Sequence, residues 1–407
     1  MPTDTVLARG HIQFIEARFF GPDATQSDIK HRLIAHLRKL RGAEHERRLT
    51  KLEALLEHEV ASRVADVAVG EAKCADAEDT EGDDLFFPSP DRASTKPRAI
   101  ISLSGADHSK VERRACRLFQ RREAASGLKH LKKEDRERLE VLAGGVRLAT
   151  IPSEHRADEL AAELHGEFPW LAPATEVVWC AMRRSVQEGW PGFRMPPLLL
   201  DGPAGIGKSV WARRLGGLIG APSMIVEATN DNASFGVVGS QRGWSNAAPG
   251  RLIQTILQHL CGNPIVVVDE VEKAGSVGSD KGRSFDLAAS LLPLLEPATA
   301  RSWSCPFFET RFDMGSINWV LTSNDRRLLS EPLRSRCIEL QLQEVSVADL
   351  VAFARREGRR RGLSDLSIEA IVAALEHPRA RSLKLNLRSV IRMLDRAAHL
   401  ERTPKPN

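Results

Sequence analysis

The sequence has no tyrosine, and aromatic residues of all kinds make up 5% of its 407 residues. It also lacks the cysteine spacing of a disulfide framework or a zinc site, because none of its six cysteines lies in a C-x-x-C pair. Those cysteines are Cys74, Cys116, Cys180, Cys261, Cys305 and Cys337. This pattern argues against a disulfide-stapled secreted fold and fits a reducing cytoplasm.

Long hydrophobic runs are absent as well. No apolar stretch approaches the ~18 residues that span a bilayer, and residues 1–11 lack the ~7–15-residue apolar core of a secretory signal. Neither sign of charge dominates, since 58 Lys and Arg face 54 Asp and Glu. The net charge of +4 is too small to indicate a nucleic-acid partner by itself. The sequence therefore predicts a cytoplasmic protein without membrane association, and its other partners must be inferred from motifs.

What the sequence does contain is a change of character along the chain. Its 407 residues suggest two or three domains at about 100–200 residues each. Leucines at helical spacing predict early helices, an acidic stretch with prolines predicts a linker, and short apolar strands that alternate with helices predict a parallel α/β sheet. The predicted segments are a helical N-terminal region at 1–70, an acidic linker at 71–97, a basic, mainly helical segment at 98–150, an α/β domain with leading helices at 151–345, a helical domain at 346–402 and a tail at 403–407.

A glycine-rich loop follows the predicted strand Leu198–Leu200. The loop consists of Gly202, Pro203, Ala204, Gly205, Ile206, Gly207, Lys208 and Ser209, and Val210 continues into a predicted helix. Strand, G-x-x-x-x-G-K-[ST] loop and helix together are the context in which this motif binds nucleotide phosphates. Backbone N–H groups would face phosphate oxygens, Lys208 would reach the β- and γ-phosphates, and the Ser209 hydroxyl would bind Mg²⁺. The loop predicts ATP and Mg²⁺ as ligands.

Two carboxylates follow a second predicted strand. The run Ile265–Val268 is β-branched throughout, which is typical of a central strand in a buried parallel sheet, and Asp269 and Glu270 come directly after it. Ligands bind at this edge of open α/β sheets. We expect Asp269 to hold Mg²⁺ and Glu270 to polarise the attacking water. Combined with the glycine loop, the pair predicts nucleotide hydrolysis.

With both motifs in place, residues from about 190 to 400 resemble the AAA+ ATPases and, within them, the ATPase module of Lon proteases. The resemblance extends to Pro249–Gln254, to Asn263 and Pro264, and to Asp269–Lys273. It implies an α/β P-loop NTPase with a parallel sheet core and a C-terminal helical lid, preceded by a mainly helical N-terminal region. It also implies an ATP-hydrolysing homo-oligomeric ring, expected to be a hexamer, that remodels or unfolds a protein substrate.

The resemblance gives roles to four further positions. Asn324, at the end of the predicted strand 319–323, matches the sensor-1 residue that orients the lytic water. Arg336 matches the arginine finger that one subunit offers to its neighbour's γ-phosphate, with Arg334 as the second candidate, and Arg388 matches the sensor-2 arginine of the lid. Each residue also has an ordinary interpretation, as a turn residue for Asn324 and as surface arginines for the others.

Trp244 falls where Lon proteases carry the aromatic residue of a pore loop, which grips an extended polypeptide. The chain departs from the family here. Trp244 stands where the family has Tyr, and Asn246 and Ala248 stand where it usually has a small residue and Met. A buried core position is the alternative for Trp244. The sequence ends at Asn407, soon after the lid, so we expect no Ser–Lys peptidase domain; a separate peptidase partner is left open.

A second function is left open by the residues alone. Residues 109–140 carry eleven Lys and Arg against six Asp and Glu, which indicates either a solvated helix face or a nucleic-acid surface. Two further features favour nucleic acid: the arginines at 355–361 and the Ser-Arg-Cys triplet at 335–337, which resembles the triplet of clamp loaders. The alternative is therefore a nucleic-acid-linked ATPase that acts in replication, mobile elements or defence. A scaffold that binds ATP without hydrolysing it is disfavoured, because the predicted catalytic residues form a full set.

Overall fold

The chain forms two compact units, one comprising Phe20–Ser126 and the other comprising Met1–Phe19 with Gly127–Asn407. The structure, a computed structural model, describes residues 10–19, 25–70, 102–229, 233–243, 247–274, 277–278, 284–285, 287–377 and 385–402. The linker predicted at 71–97, the tail at 403–407 and the pore-loop candidate Trp244 lie outside these residues.

The unit Phe20–Ser126 is a pair of packed helices. These are α1 (Gln26–Gly70) and α2 (Gly105–Ser126). An ion pair between Arg41 and Asp107, at 2.9 Å, crosses between them. Ser104 precedes α2, and its hydroxyl accepts a hydrogen bond from the Asp107 amide at 3.2 Å, which is the contact of a helix N-cap. The helix predicted from leucine periodicity is therefore present as α1, and α2 lies in the segment predicted as basic and mainly helical.

A five-stranded parallel sheet forms the centre of the other unit. In spatial order its strands are β11 (Ile338–Gln341), β3 (Leu198–Asp201), β10 (Asn318–Ser323), β5 (Ile265–Asp269) and β4 (Ser223–Glu227). Leu198 and Leu200 pack into one hydrophobic layer and Leu199 into the other, as the alternation of side chains along a strand requires. All residues of β10 are buried, as expected for a strand covered on both faces.

Helices cover both faces of this sheet. The described helices of the unit are α3 (Lys133–Glu140), α4 (Glu154–Glu167), α5 (Ala172–Gln187), α6 (Lys208–Ile219), α7 (Ala233–Val238), α8 (Arg251–His259), α9 (Leu287–Leu295), α10 (Pro297–Ala300), α11 (Glu331–Arg334), α12 (Val347–Arg360), α13 (Asp365–Glu376) and α14 (Leu387–Arg402), with 3₁₀ turns at Pro169–Leu171, Val271–Lys273 and Arg326–Leu328. Helices α4 to α6 share one hydrophobic layer with α12 to α14, which we call the lid. Helices α8 and α9 pack in the other layer.

Residues 10–19 belong to this unit and are not helical. Strand β1 (His11–Ile12) pairs antiparallel with β2 (Val146–Arg147). The other short ribbons are β6 (Val277–Gly278) with β7 (Ser284–Phe285) and β8 (Trp303–Ser304) with β9 (Arg311–Phe312). Phe14 is fully buried, and its ring centroid lies 5.7 Å from that of Phe312. The helical prediction for residues 1–70 is therefore wrong at 10–19, where an extended segment buries Phe14 and Ile15.

The predicted fold class is confirmed. The parallel sheet expected between about 196 and 342 contains β3, β4, β5, β10 and β11, and the helices expected at 346–402 are the lid. The finer domain boundaries stay predictions. Across the described ranges, none of the helices combines the length and the apolar character needed to cross a lipid bilayer.

Two buried asparagines fasten the sheet to the segments that precede it. Asn263 accepts a hydrogen bond from the Ala149 amide at 2.8 Å and donates to the carbonyl oxygens of Ala149 and Phe193 at 2.9 and 2.8 Å. Asn318 accepts from the Met195 amide at 2.9 Å and donates to the Asn263 carbonyl oxygen at 3.1 Å. Both asparagines have no exposed surface, so these bonds satisfy backbone groups that water cannot reach.

We predict that Asn263→Ala lowers the free energy of unfolding of this unit by about 3 kcal/mol, because it leaves several buried polar groups without partners. Urea unfolding followed by tryptophan fluorescence measures this, since all seven tryptophans lie beyond Gly127. Gln258→Ala, at an exposed position of α8, is the control and should leave the midpoint unchanged. A loss below about 1 kcal/mol in Asn263→Ala would contradict this account.

Candidate functional site

The glycine loop joins β3 to α6 at the carboxyl edge of the sheet. The Gly202 amide donates a hydrogen bond to the Ser323 carbonyl oxygen at 3.1 Å. A Cβ at Gly202 would lie 2.7 Å from the Leu342 carbonyl oxygen, so the position requires glycine. Gly207, with φ of 92°, takes the left-handed conformation that glycine adopts without strain, directly before α6. This turn leaves the first N–H groups of α6 free to bind an anion.

Lys208 is largely enclosed by this loop, with 7% of its surface exposed. Its ammonium donates hydrogen bonds to the carbonyl oxygens of Gly202 at 2.5 Å and Pro203 at 3.2 Å, and to Asn324 Oδ1 at 3.2 Å. Burial lowers the pKa of Lys208, and nearby carboxylates, that of Glu272 above all, oppose this shift. The ammonium therefore lies where phosphate oxygens can replace the loop carbonyls as acceptors.

A chain of hydrogen bonds joins α6 to β5 and β10. Asp269 Oδ1 accepts from the Ser209 hydroxyl at 2.7 Å and from the Thr322 hydroxyl at 2.5 Å. The Thr322 oxygen in turn accepts from the Glu270 amide at 3.0 Å. Glu270 has φ of 54°, a left-handed conformation that costs a residue with a side chain about 1–3 kcal/mol. The bond to Thr322 helps to hold Glu270 in this turn at the end of β5.

Glu270 and Asn324 meet between two strand ends. Asn324 Nδ2 donates to Glu270 Oε1 at 3.4 Å and to Glu272 Oε1 at 2.9 Å. The Asn324 backbone amide also donates to Glu272 Oε1, at 3.1 Å, while Lys273 Nζ donates to Glu270 Oε2 at 2.6 Å. Glu272 Oε2 is buried and has no hydrogen-bond partner within the described chain. Glu272 thus accepts two of the hydrogen bonds that orient Asn324, and Lys208 orients its Oδ1.

These groups open into one cavity of about 830 Å³ between the loop and the lid, a volume suited to a nucleotide. The predicted site residues in its wall are Ala204, Gly205, Ile206, Gly207, Lys208, Ser209, Val210, Asp269, Glu270, Asn324 and Arg388. Phe168, Phe353 and Leu387 add apolar surface. Arg388 is exposed, and its side chain makes neither a hydrogen bond nor an ion pair with any described residue. A guanidinium that is free in this way is available for a phosphate.

Three arginines towards the end of α12 and just after it, Arg356, Arg360 and Arg361, are instead engaged within the chain. Hydrogen bonds from Arg360 and Arg361 hold the pKa of Glu357 at about 2, so this carboxylate stays charged beside the cavity. Arg356 donates to the Glu167 carbonyl oxygen at 2.8 Å and ties the lid to α4. The arginine cluster at 355–361 therefore has intramolecular partners, which weakens it as a sign of nucleic-acid binding.

The two candidate arginine fingers lie away from this cavity. Arg334 donates to Glu339 at 3.0 and 3.1 Å, and this pairing raises the pKa of Arg334. Arg336 donates from Nη1 to the Pro332 carbonyl oxygen at 2.7 Å, and its Nε lies 3.5 Å from the Glu296 carboxylate. Neither arginine lines the nucleotide-sized cavity of its own chain.

The oxygens of Ser209 and Asp269 fit Mg²⁺, which takes hard oxygen ligands and usually keeps one or two from protein beside phosphate and water. Where the structure describes the chain, no group of three or more His, Cys, Asp or Glu side chains gathers that could hold a metal ion. Thr322 and Glu272 belong to the site but were not predicted from the sequence. Two signals could have found them: Thr322 lies near the end of β10, two residues before Asn324, and Glu272 lies within the Lon-like segment 269–273.

Comparison with known proteins points to the same region. Residues 198–344 match the family described as ATPase family associated with various cellular activities (AAA). The chain is 30% identical over 219 residues to "Lon protease homolog 2, peroxisomal" of Pichia angusta, covering 52% of this chain and 23% of that protein. It is 26% identical over 236 residues to the Lon protease of Koribacter versatilis, covering 54% and 28%. The chain thus spans about a quarter of the length of these relatives.

One solved structure, titled as a closed-state cryoEM reconstruction of Hsp104 with ATPyS and FITC casein, aligns with a TM-score of 0.48 and 15% identity over 71% of this chain and 50% of that chain. That score is too low to support an argument. The family match is more informative, because it begins at the first residue of β3 and ends beyond β11. Residues 198–344 form an AAA domain, and the resemblance to Lon proteases is confirmed over about half the chain.

We predict that Glu272→Ala lowers the rate of nucleotide turnover at least about tenfold, because Asn324 loses two hydrogen bonds to a carboxylate. The KM for nucleotide should change less than threefold, since Glu272 acts on the phosphate loop only through its charge beside Lys208. Glu272→Gln, which keeps an acceptor oxygen, should retain most of the rate. Glu227→Ala, at an exposed carboxylate on the end of the neighbouring strand β4, is the matched control. A normal rate in Glu272→Ala would remove the positioning role.

Proposed function

Starting from the AAA domain at residues 198–344, we propose that this chain hydrolyses ATP as a ring-forming motor that remodels or unfolds protein substrates. One observation carries the hydrolysis step. The phosphate loop, the Ser209–Asp269–Thr322 hydrogen bonds, Glu270 and Asn324 all converge on one cavity under the lid. A nucleotide in that cavity would meet each group that hydrolysis needs.

The roles follow from the contacts. Loop N–H groups and the Lys208 ammonium bind the β- and γ-phosphates, and Ser209 and Asp269 hold Mg²⁺, which neutralises phosphate charge. Glu270 accepts a proton from the attacking water, and Asn324 orients that water. Because Lys273 now occupies one oxygen of Glu270 at 2.6 Å, this pair must loosen before Glu270 can act.

Ring formation is supported by the position of Arg336. Arg336 precedes β11 at its amino end, whereas the nucleotide loop follows β3 at its carboxyl end. An arginine finger must reach a γ-phosphate, and Arg336 does not line its own cavity. We therefore assign Arg336, rather than the Glu339-paired Arg334, to the site of a neighbouring subunit. A hexamer is the expected ring, and Arg388 of the lid is the proposed sensor for the bound phosphates.

The choice of a polypeptide as substrate rests on the similarity to Lon proteases and on the pore-loop resemblance at Trp244. We also propose that these 407 residues act as a motor and do not themselves cleave peptide bonds. A casein degradation assay on the purified chain tests this absence of peptidase activity, and a separate peptidase is an optional partner. The cytoplasm stays the predicted location, although one relative is named as peroxisomal.

A nucleic-acid-linked ATPase is the second candidate, and one face of α2 favours it. Five basic side chains at helical spacing are exposed there: Lys110, Arg113, Arg114, Arg117 and Arg121. Their spacing along one helix face matches a row of backbone phosphates better than a single small anion. Two acids of this helix are paired with basic residues of α1, Glu112 with Lys30 and Asp107 with Arg41. This face lies in the unit Phe20–Ser126, apart from the residues of the ATPase cavity in sequence.

We predict that the rate of ATP turnover per chain rises with protein concentration, as ring assembly requires. An unfolded polypeptide such as casein should raise this rate further. The measurement is steady-state turnover of the chain alone, with casein, and with single-stranded and duplex DNA at several salt concentrations. Glu270→Gln should bind ATP with near-normal affinity and hydrolyse it at least about a hundredfold more slowly, because water activation is lost.

The outcomes separate the candidates. Stimulation by DNA alone, with affinity that falls steeply as salt rises, would replace the polypeptide motor by the second candidate. If the chain binds nucleotide but shows no turnover at any protein concentration, it is a scaffold that binds ATP without hydrolysing it. A normal rate in Glu270→Gln would overturn the catalytic assignment.

We also predict that Arg336→Ala and Lys208→Ala, each inactive alone, recover turnover when they are mixed. The first variant keeps an intact nucleotide site, and the second keeps the finger, so a mixed ring contains complete sites. The control is Arg334→Ala mixed with Lys208→Ala. Because the Arg334→Ala variant should already retain turnover on its own, mixing should give no such gain. Light scattering must show mixed rings of the normal mass. Mixed rings without recovered turnover would mean that Arg336 does not act between subunits.

A further inference from the structure

A second cavity, of about 790 Å³, lies at the opposite edge of the sheet and shares no lining residue with the first. Its wall includes the residues that lead into β3, β10 and β11, namely Pro197, Ile317 and Arg336. It therefore lies at the amino ends of strands whose carboxyl ends carry the nucleotide site. The proposed ATPase cycle does not use its interior.

The interior of this cavity is apolar but holds two donors without acceptors. Its buried apolar residues include Met195, Leu294, Leu295, Met314 and Ile317. Trp319, which is 2% exposed, also lines it, and its indole Nε1 is buried without a hydrogen-bond partner within the described chain. Arg336 Nε is buried in the same wall and makes no hydrogen bond, although the Glu296 carboxylate lies 3.5 Å away. Buried N–H groups are normally bonded, so both donors call for an acceptor.

The charge around the cavity selects the same kind of acceptor. Four arginines and two glutamates line it. Arg301 is exposed, and its side chain forms neither a hydrogen bond nor an ion pair among the residues that the structure describes. The Arg194 guanidinium lies 4.6 Å from the centre of the Trp190 ring. Its charge adds to the hydrogen bond and charge of Arg184 in lowering the pKa of Glu188. The guanidinium most available to bind an anion is therefore that of Arg301, and Arg194 adds positive charge to the same wall.

We infer that this cavity binds an amphipathic carboxylate, a small molecule with one negative charge on an apolar body. Its apolar body packs among the methionine and leucine side chains, which removes apolar surface from water. Its two oxygens accept from the Trp319 indole and the Arg336 guanidinium, and Arg194 and Arg301 neutralise its charge at the entrance. A neutral molecule would leave the arginines unpaired, and a small inorganic anion would leave the apolar wall uncovered.

Occupancy of this cavity would act on ATP turnover through Arg336, and this step rests on the proposed function. An arginine that donates to a carboxylate in its own subunit is held back from the γ-phosphate of its neighbour. The bound carboxylate should therefore lower the turnover rate of the ring while the KM for ATP stays the same, because each nucleotide cavity is unchanged.

The test uses octanoate as the probe, with 1-octanol and acetate as comparators that lack the charge and the apolar body, respectively. We predict that calorimetry on the full chain shows one octanoate per chain, bound at least about tenfold more tightly than either comparator. Octanoate should also lower kcat for ATP without raising KM. Equal binding of octanoate and octanol would reduce the cavity to an apolar crevice and overturn the proposal.

Two variants locate the site. Arg301→Gln, at the exposed entrance, and Trp319→Phe, which removes the buried donor, should each weaken octanoate binding about tenfold. Arg213→Gln, at an exposed arginine of α6 that lines neither cavity, is the control and should bind normally. If Trp319→Phe unfolds, Arg301→Gln alone decides, and unchanged binding in it places octanoate elsewhere. If octanoate binds but does not change the rate of ATP turnover, the binding site is correct and its effect through Arg336 is wrong. If the chain shows no ATP turnover at all, the proposed function is wrong, and the octanoate binding result still tests the site.

Discussion

The carboxylate of Asp269 is the point at which the nucleotide site is held together. It lies at the end of β5 and accepts hydroxyl hydrogen bonds from Ser209 on α6 and Thr322 on β10. Asp269 is partly buried, and these two hydroxyls fix the carboxylate oxygen that is expected to face Mg²⁺. The Thr322 hydroxyl also accepts from the Glu270 amide, so one side chain positions the metal ligand and the turn that carries the proposed base.

That arrangement explains why the site could be predicted in part from the sequence. The loop from Gly202 to Ser209 is contiguous, and its function follows from local backbone geometry and one lysine, so the pattern alone indicates it. Glu272 could not be assigned in the same way, because its contact with Asn324 joins residues 52 positions apart and depends on β5 and β10 being neighbours. The pairing order of parallel strands is set by long-range packing, which residue spacing does not specify.

The same limit applies to the fold. Helical periodicity predicted α1, but Leu49, Leu52 and Leu56 on this helix are 46%, 56% and 54% exposed, so the spacing indicates the helix without indicating what it packs against. Residues 10–19 show the converse, since the short strand β1 and the burial of Phe14 depend on contacts more than 100 residues away. Local patterns thus predicted the long helix α1, whereas tertiary contacts decided the structure of residues 10–19 and which faces are buried.

The two cavities lie at opposite ends of the same strands, and this limits how binding in one cavity could affect the other. Trp319 and Asn324 belong to β10 and the turn after it, five residues or about 16 Å apart along an extended strand. Every residue of β10 is buried in close packing, so the strand is a poor candidate for an element with two arrangements. Partners can be exchanged more easily beyond the ends of its neighbours. After β5, Glu270 can leave Lys273, because solvent screens this half-exposed ion pair. Before β11, Arg336 can leave Glu296, from which it is 3.5 Å away without a hydrogen bond. A signal between the sites would therefore pass through changes of ion-pair partner at the strand ends, with the sheet as a rigid frame between them.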